Sequence, residues 1–213
     1  MLQTQTIKEG TYRLLKKIMH DEKLSHFYLV GGTALALYMG HRKSIDLDFF
    51  SQRLFDIDET LEYLVKKYNF KLDKSSNATL IGSIDLIKVD YIKYDYPFAQ
   101  PPKEYDGIRI YSMPDIAAMK LTAISQSGNR LKDFIDIAFL STKMSLENML
   151  DAFRIKYPNT SVMTAVRGIT YFDDINFDSE INLIKGTFNW KTVEKRLNEM
   201  IKFSDKIFPE IVF

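Results

Sequence analysis

The sequence predicts an α+β fold in which a mixed sheet of four or five strands with flanking helices is followed by a helical second half. Two observations carry this prediction. Every strand pattern lies before residue 112, and beyond it apolar residues recur at helical spacing. The chain has 213 residues, 46% of them hydrophobic, which is enough for two small domains with buried cores. We therefore expect domains over residues 1–112 and 113–213.

Strands and helices alternate in the first half, and glycines and acidic residues mark their ends. Gly31-Gly32 stops a short apolar run and opens a helix that Gly40 ends. Asp56 with Glu59 forms a capping box for a further helix. The predicted helices cover residues 7–20, 33–39 and 57–68, and the predicted strands cover 27–30, 44–50, 84–92 and 107–111, with further strand signal from residue 79.

The second half reads as almost wholly helical. Pro114 suits the start of a helix, and the Ser-Gly-Asn break at 127–129 separates that helix from the next. Pro158 ends a third helix, because the residue before a proline disfavours helical geometry. The predicted helices cover residues 114–126, 130–140, 145–157, 161–170 and 191–206.

Charge and residue types limit the chemistry. Lys and Arg number 29 against 28 Asp and Glu, a formal net charge of +1, so any contact with nucleic acid has to use a local basic patch. The absence of cysteine excludes disulfides, thiolate catalysis and cysteine-bound zinc, which leaves carboxylates as the main reactive groups. No apolar stretch approaches the length of a membrane span and no signal-peptide pattern is visible. We expect a cytoplasmic protein with no membrane partner.

Asp46 and Asp48 alternate with apolar residues in the predicted strand over 44–50. Residues i and i+2 of a strand project from one face, about 6.5–7 Å apart along the backbone, so both carboxylates can reach one small cation. Two half-buried carboxylates repel each other and resist ionisation, and a divalent metal removes that cost. The alternative is an acidic strand face that only meets solvent.

The Gly31-Gly32 turn gives this acidic pair a context. A glycine turn that opens a helix presents backbone N–H groups to an anion, and the missing Cβ lets a phosphate approach closely. A metal site facing a phosphate cradle is the apparatus of phosphoryl or nucleotidyl transfer.

The spacing of these residues matches a known motif. Val30-Gly31-Gly32, followed after thirteen residues by Asp46-Leu47-Asp48-Phe49, resembles the motif of the DNA polymerase β-like nucleotidyltransferase superfamily. The string GGTALAL…HRKSIDLDFF resembles, more narrowly, the AbiEii-type nucleotidyltransferase toxins of abortive-infection and type IV toxin–antitoxin systems, as do MPDIAAMKLTAISQSGNRLKDFIDIAFL and YFDDI. The resemblance covers about residues 25–175. It implies that residues 1–112 form a polymerase β-like catalytic domain and that a helical domain follows.

The resemblance implies two divalent ions, Mg²⁺ or Mn²⁺, and an NTP as substrate. Asp46 and Asp48 would hold the metal ions, and a third carboxylate from a neighbouring strand would complete the site. We expect Asp90 to be the third acid because it lies near the end of an alternating strand run, and it could also take the proton of the acceptor hydroxyl. Asp85 is the alternative, five residues earlier and on the opposite face.

The same resemblance assigns residues to the triphosphate. Gly31, Gly32 and Thr33 would hold the β- and γ-phosphates. Arg42 and Lys43, just before the acidic strand, could neutralise phosphate charge, or they could form a solvated basic turn.

A second group of charged residues lies on two helices of the second half. The resemblance makes Lys120 a candidate catalytic residue and ligand of the triphosphate or base, and Lys132-Asp133 matches the family's basic–Asp motif. Two antiparallel helices could bring Lys120 to Asp133, and Asp136 shares the face of Asp133. The alternative is an interhelical salt bridge that only fixes the helical domain.

Less specific interpretations apply to six other residues. We expect His41 to be a loop residue rather than a base, and Asp173-Asp174 to form a structural turn or helix cap. Tyr91, Tyr94 and Tyr96, beside basic residues, could stack on nucleobases or pack at the sheet edge.

The resemblance implies metal-dependent transfer of an NMP from an NTP to an acceptor hydroxyl. RNA, particularly the 3′ end of a tRNA, is the expected acceptor, and a separately encoded antitoxin is the expected partner. The local RNA contact would use basic residues of the helical half, namely Lys143, Arg154, Lys156 and Arg167. Two alternatives stay open: transfer to a small molecule such as an aminoglycoside or to a protein hydroxyl, and a non-catalytic nucleotide-binding module.

Overall fold

The computed structural model describes residues 1–212 and confirms the α+β class, with a sheet larger than predicted. Seven strands of the described chain form one mixed sheet in the order β3-β4-β5-β2-β1-β7-β6. The strands are β1 (Tyr28–Val30), β2 (Leu47–Ser51), β3 (Lys71–Ser76), β4 (Thr79–Ile84), β5 (Ile87–Lys93), β6 (Lys103–Tyr105) and β7 (Ile108–Ile110). In the centre, β1 pairs antiparallel with β2 and parallel with β7, while β2 pairs parallel with β5.

The prediction of four or five strands was wrong at the two edges and at one hairpin. Every residue of β3 is exposed, so this edge strand lacks the burial alternation that marks a strand in sequence. At the other edge, β6 has only three residues. The predicted run over 84–92 is broken by a turn, because Asp85 and Leu86 adopt positive φ angles of 50° and 65° and join β4 to β5.

The predicted helices agree with the structure to within a few residues. They are α1 (Glu9–Met19), α2 (Gly31–Met39), α3 (Ile57–Tyr68), α4 (Met113–Ser127), α5 (Leu131–Leu140), α6 (Leu146–Lys156), α7 (Val162–Gly168) and α8 (Trp190–Lys202). The capping box before α3 forms as predicted, with the Glu59 N–H donating to Asp56 Oδ1 at 2.8 Å. Within residues 1–212, no helix combines the length and hydropathy needed to cross a bilayer.

Helix α2 connects the sheet to the helical half. It starts directly after β1 and packs against both α4 and α5, so it brings these two helices next to the glycine turn. The hydrophobic core draws residues from both sides of residue 112, and the division into two domains at that residue stays a prediction. Tyr91 is fully buried against Phe27 and Phe49, which contradicts its interpretation as a surface for nucleobase stacking.

Candidate active site

The acidic residues meet at the start of β2. Asp48 is the register partner of Asp90 on the parallel strand β5 and of Val30, the last residue of β1. Adjacent strands lie about 4.8 Å apart, and paired residues point to the same face, so the Asp48 and Asp90 carboxylates are neighbours. Asp46 lies two residues before Asp48 along the chain. Asp85 is exposed in the β4–β5 turn and lines a different cavity.

Burial and mutual repulsion act on these carboxylates. Burial, followed by the charges of Asp90 and Asp46, raises the pKa of Asp48 to about 6. Burial also raises the pKa of Asp90, although the Lys88 ammonium, 3.1 Å from Asp90 Oδ2, opposes the shift. Asp90 Oδ1 is buried with no hydrogen-bond partner in the described residues. Positive charge therefore compensates these carboxylates only in part.

The donor set suits a divalent cation. Carboxylate oxygens are the ligands that Mg²⁺ and Mn²⁺ prefer, and a cation between Asp46, Asp48 and Asp90 would satisfy the free Asp90 oxygen and offset the repulsion at Asp48. Within residues 1–212, no three His, Cys, Asp or Glu side chains are gathered to hold an ion as they stand. The residues present fit the metal by chemistry and by strand register.

Both glycines of the turn have a steric reason to be glycine. Gly31 has a φ of +72°, and a Cβ there would collide with the Asp48 carboxylate. A Cβ on Gly32 would stand 2.7 Å from Arg42 Nη2. The start of α2 is thus held close to one carboxylate and one guanidinium.

Thr33 ties this helix to the acidic strand. Its hydroxyl is buried, 2.8 Å from Ser44 Oγ and in contact with the Asp46 carbonyl. Thr33 also lines the cleft described below. Its hydroxyl thus already has two hydrogen-bond partners. The contact of Thr33 with a phosphate stays a prediction.

A buried charge network lies beside the turn, centred on the carboxylate of Asp136. Arg42 binds it through two N–H groups, at 2.7 Å from Nε and 2.8 Å from Nη2, and His41 Nε2 lies 2.8 Å away. Lys120 Nζ stands 2.8 Å from Asp136 and 2.5 Å from Asp133. The predicted contact between Lys120 and Asp133 is confirmed. His41 lies in a loop, as expected, but it is buried, and Arg42 is buried rather than part of a solvated turn.

The network keeps Asp136 and Lys120 charged. Burial by itself would raise the pKa of Asp136, yet Arg42 and Lys120 hold it well below its usual value. Burial would lower the pKa of Lys120, and the Asp136 and Asp133 carboxylates raise it instead. Lys120 also acts electrostatically on Asp48, so the network extends to the acidic edge of β2.

These elements surround an open cleft of about 570 Å³, which is large enough for a nucleotide. Six basic side chains and three acidic ones line it, namely Lys8, Arg42, Lys43, Lys120, Arg130 and Lys132 with Asp46, Asp48 and Glu180. Gly31, Asp90 and Asp133 are not among its lining residues.

One wall of the cleft could not be found from the sequence. Residues 179–182 follow no periodic pattern, yet they line the cleft because the chain beyond them bonds to the segment before β2. Lys43 N donates to the Asn182 carbonyl at 2.7 Å, and Ile184 N donates to the His41 carbonyl at 2.9 Å.

Two other predicted groups lie away from the cleft. Asp173 and Asp174 are exposed in a turn, as expected. Lys156 was wrongly predicted as an RNA contact, because it is fully buried and its Nζ lies 2.9 Å from Asp115 Oδ1. Its ammonium also lies over the rings of Tyr94 and Tyr111, with Nζ 5.6 Å and 5.1 Å from their centroids, which its position at the end of a helix does not indicate.

Comparison with known proteins agrees with the class that the fold and the cleft define, a nucleotidyltransferase. The model of the family described as "Nucleotidyl transferase AbiEii toxin, Type IV TA system" matches residues 13–99 and 81–206, so the chain belongs to this family, as its motifs predict. A relative, the uncharacterized protein aq_aa25 of Aquifex aeolicus, is 34% identical over 79% of this chain and 84% of that protein.

Two solved structures share the fold at low sequence identity. MenT4, the nucleotidyltransferase toxin Rv2826c of Mycobacterium tuberculosis, superposes with a TM-score of 0.59 over 92% of this chain and 85% of that one, at 14% identity. JHP933 of Helicobacter pylori gives a TM-score of 0.55 over 92% and 90%, at 18% identity.

Proposed function

We propose that this nucleotidyltransferase moves an NMP from an NTP to a hydroxyl of RNA, at the 3′ end of a tRNA, and acts as the toxin of a pair with a separate antitoxin. The observation that carries the proposal is the register of Asp48 with Asp90 beside the Gly31-Gly32 turn. Membership of a type IV toxin–antitoxin family supports the toxin role and the antitoxin.

The triphosphate would lie along the basic side of the cleft. The backbone of Gly31 and Gly32 and the start of α2 offer N–H groups and a positive helix end to the β- and γ-phosphates. Lys43 and Lys132 line the cleft and would compensate phosphate charge. Arg42 would also compensate phosphate charge, because its hydrogen bond to Asp136 holds its guanidinium beside Gly32.

Asp46, Asp48 and Asp90 would hold the divalent ions. When bound, these ions lower the charge on the α-phosphate and the leaving pyrophosphate and favour the ionised acceptor hydroxyl. The acceptor oxygen bonds to the α-phosphorus as the bond to the bridging oxygen of pyrophosphate breaks. Asp90 would also take the hydroxyl proton. Lys120 would stabilise the triphosphate from the Asp133 and Asp136 side.

The charge of the cleft favours an anionic acceptor. A cationic acceptor such as an aminoglycoside calls for an acidic cleft, whereas basic side chains outnumber acidic ones here even without Arg42 and Lys120, which are paired with Asp136. A nucleic acid end and an NTP both match that balance. We therefore favour RNA over a small cationic molecule.

The test is transfer of label from each α-³²P-NTP to total bacterial RNA, with Mg²⁺ or Mn²⁺, followed on a denaturing gel. The wild type should label a tRNA-sized band. Asp46→Asn, Asp48→Asn and Asp90→Asn should each lower the rate by at least about 100-fold, while the matched variant Asp85→Asn stays close to wild type.

Three results would contradict parts of the proposal. Full transfer by Asp90→Asn with loss in Asp85→Asn would make Asp85 the third acid. Activity that persists without divalent ions would remove the metal role. A wild type that binds NTP but labels no RNA would refute the RNA acceptor.

A further inference from the structure

A second cleft, of about 610 Å³, lies between the C-terminal end of α4 and helix α7 with the turn that follows it. We call it the α4–α7 cleft, and it is lined among others by Ser125, Gly128, Thr164, Arg167 and Tyr171. The reaction proposed above assigns it no role.

The α4–α7 cleft adjoins the candidate active site. Gly128 lines the α4–α7 cleft and Arg130 lines the active-site cleft, and these residues are only two apart, a span of at most about 7 Å. Backbone contacts hold the turn between them, because Asn176 N donates to the Asn129 carbonyl at 3.0 Å and the backbones of Arg130 and Asn176 form an isolated parallel β-bridge. A chain lying in the active site can therefore reach the α4–α7 cleft by crossing this turn.

Two side chains of the cleft suit a single-stranded nucleotide. Arg167 is exposed and makes no ion pair within residues 1–212, so its guanidinium is available to a phosphate. Tyr171 exposes 49% of its surface and offers a ring face on which a base can stack.

The hydroxyl groups around them add acceptors. Ser125 Oγ donates to the Thr122 carbonyl at 2.9 Å, and Thr164 Oγ1 donates to the Ser161 carbonyl at 2.6 Å. Each hydroxyl proton is already engaged, so each oxygen can contribute to the cleft only as an acceptor. Ribose 2′-hydroxyls and base amino groups are the donors they would take, and the 2′-hydroxyl is present in RNA alone.

We propose that the α4–α7 cleft binds an unpaired nucleotide of the acceptor RNA next to the 3′ end that enters the active site. The inference rests on RNA being the acceptor. Arg167 would contact the phosphate and Tyr171 would stack on the base, so the cleft positions the strand and takes no part in the chemistry.

Binding is measured by fluorescence anisotropy with an RNA hairpin that carries a single-stranded 3′ tail of about four nucleotides. Tyr171→Ala should weaken binding about 5- to 100-fold, as expected for loss of one stacked base, and Tyr171→Phe should retain it. Arg167→Ala should weaken binding and reduce the salt dependence by about one counterion. Arg13→Ala removes an exposed arginine that is paired with Glu9, and should match wild type.

Transfer kinetics and a blunt hairpin separate this inference from the proposed function. The KM for RNA should rise in Arg167→Ala and Tyr171→Ala while NTP affinity is unchanged, and a hairpin without the tail should not distinguish the variants. Unchanged binding of the tailed hairpin by both variants, or no RNA binding by wild type, overturns the inference. If wild type binds the tailed hairpin through these residues but transfers no NMP, the cleft assignment stands and the proposed function fails.

Discussion

Replacing Asp136 by asparagine should destabilise the folded protein strongly, because one buried carboxylate serves three cationic or polar partners. Arg42 contacts it at 2.7 and 2.8 Å, Lys120 at 2.8 Å and His41 at 2.8 Å, and its exposure is 0%. Asparagine keeps the shape but removes the charge, and its NH₂ group would face donors. Asp133 would then be the nearest remaining counter-charge for Lys120.

The magnitude follows from the burial of the partners. Removing one member of a buried ion pair costs about 3–5 kcal/mol because the other charge stays buried without compensation. For a chain of this size about 1 kcal/mol shifts Tm by 2–4 °C, so Asp136→Asn should lower Tm by about 6–20 °C. Asp133→Asn should cost less, because Asp133 contacts Lys120 closely but Arg130 only at 3.5 Å.

Thermal and urea unfolding, followed by circular dichroism, measure the effect. The surface control is Arg154→Ala, which breaks an exposed pair with Asp151 and should cost about 0–1 kcal/mol. The expected order of destabilisation is Asp136→Asn, then Asp133→Asn, then Arg154→Ala. A loss under about 1 kcal/mol for Asp136→Asn, or the reverse order of the two aspartate variants, would refute the reasoning.

The elements that depend on local signals were predictable from the sequence. Helix α3 begins and ends as predicted because its cap, the Asp56 carboxylate, lies within three residues of its partner. β2 alternates buried and half-buried residues, which is what a strand with one covered face requires. β3 has no such alternation, because it pairs at an exposed edge where neither face is covered. β3 is a strand because it pairs with β4, and no pattern in the sequence of β3 itself indicates that pairing.

In the candidate site, too, features that are close together in sequence were predictable, and contacts between distant residues were not. Asp46, Asp48 and the Gly31-Gly32 turn could be placed together because they lie within one short stretch of chain. The hydrogen bond from Arg42 to Asp136 joins residues 94 positions apart, and it forms because α2 packs against α5. No sequence pattern predicts that packing. The sequence therefore predicted the contact between Lys120 and Asp133, but not that Arg42 and His41 bind Asp136.

Two further predictions test the glycine turn and the buried histidine. Gly31→Ala should destabilise the protein by at least about 1–2 kcal/mol, because Gly31 has a φ of +72° and an added Cβ meets Asp48. The control Gly10→Ala, in a helix with open space around the glycine, should stabilise the protein by about 0.5–1 kcal/mol. Urea unfolding that changes the stability of both variants in the same direction would contradict the steric account. Burial, together with the charges of Arg42 and Lys120 and against the pull of Asp136, lowers the pKa of His41 in the folded state. As pH falls through about 6.5, the unfolded chain takes up a proton at this histidine that the folded protein does not, so the free energy of unfolding should fall, and it should level off below the folded-state pKa. His41→Gln, which keeps a donor for Asp136, should lose less stability between pH 7.5 and 5.5 than wild type, and equal losses would show that His41 is protonated as readily in the folded state as in the unfolded chain.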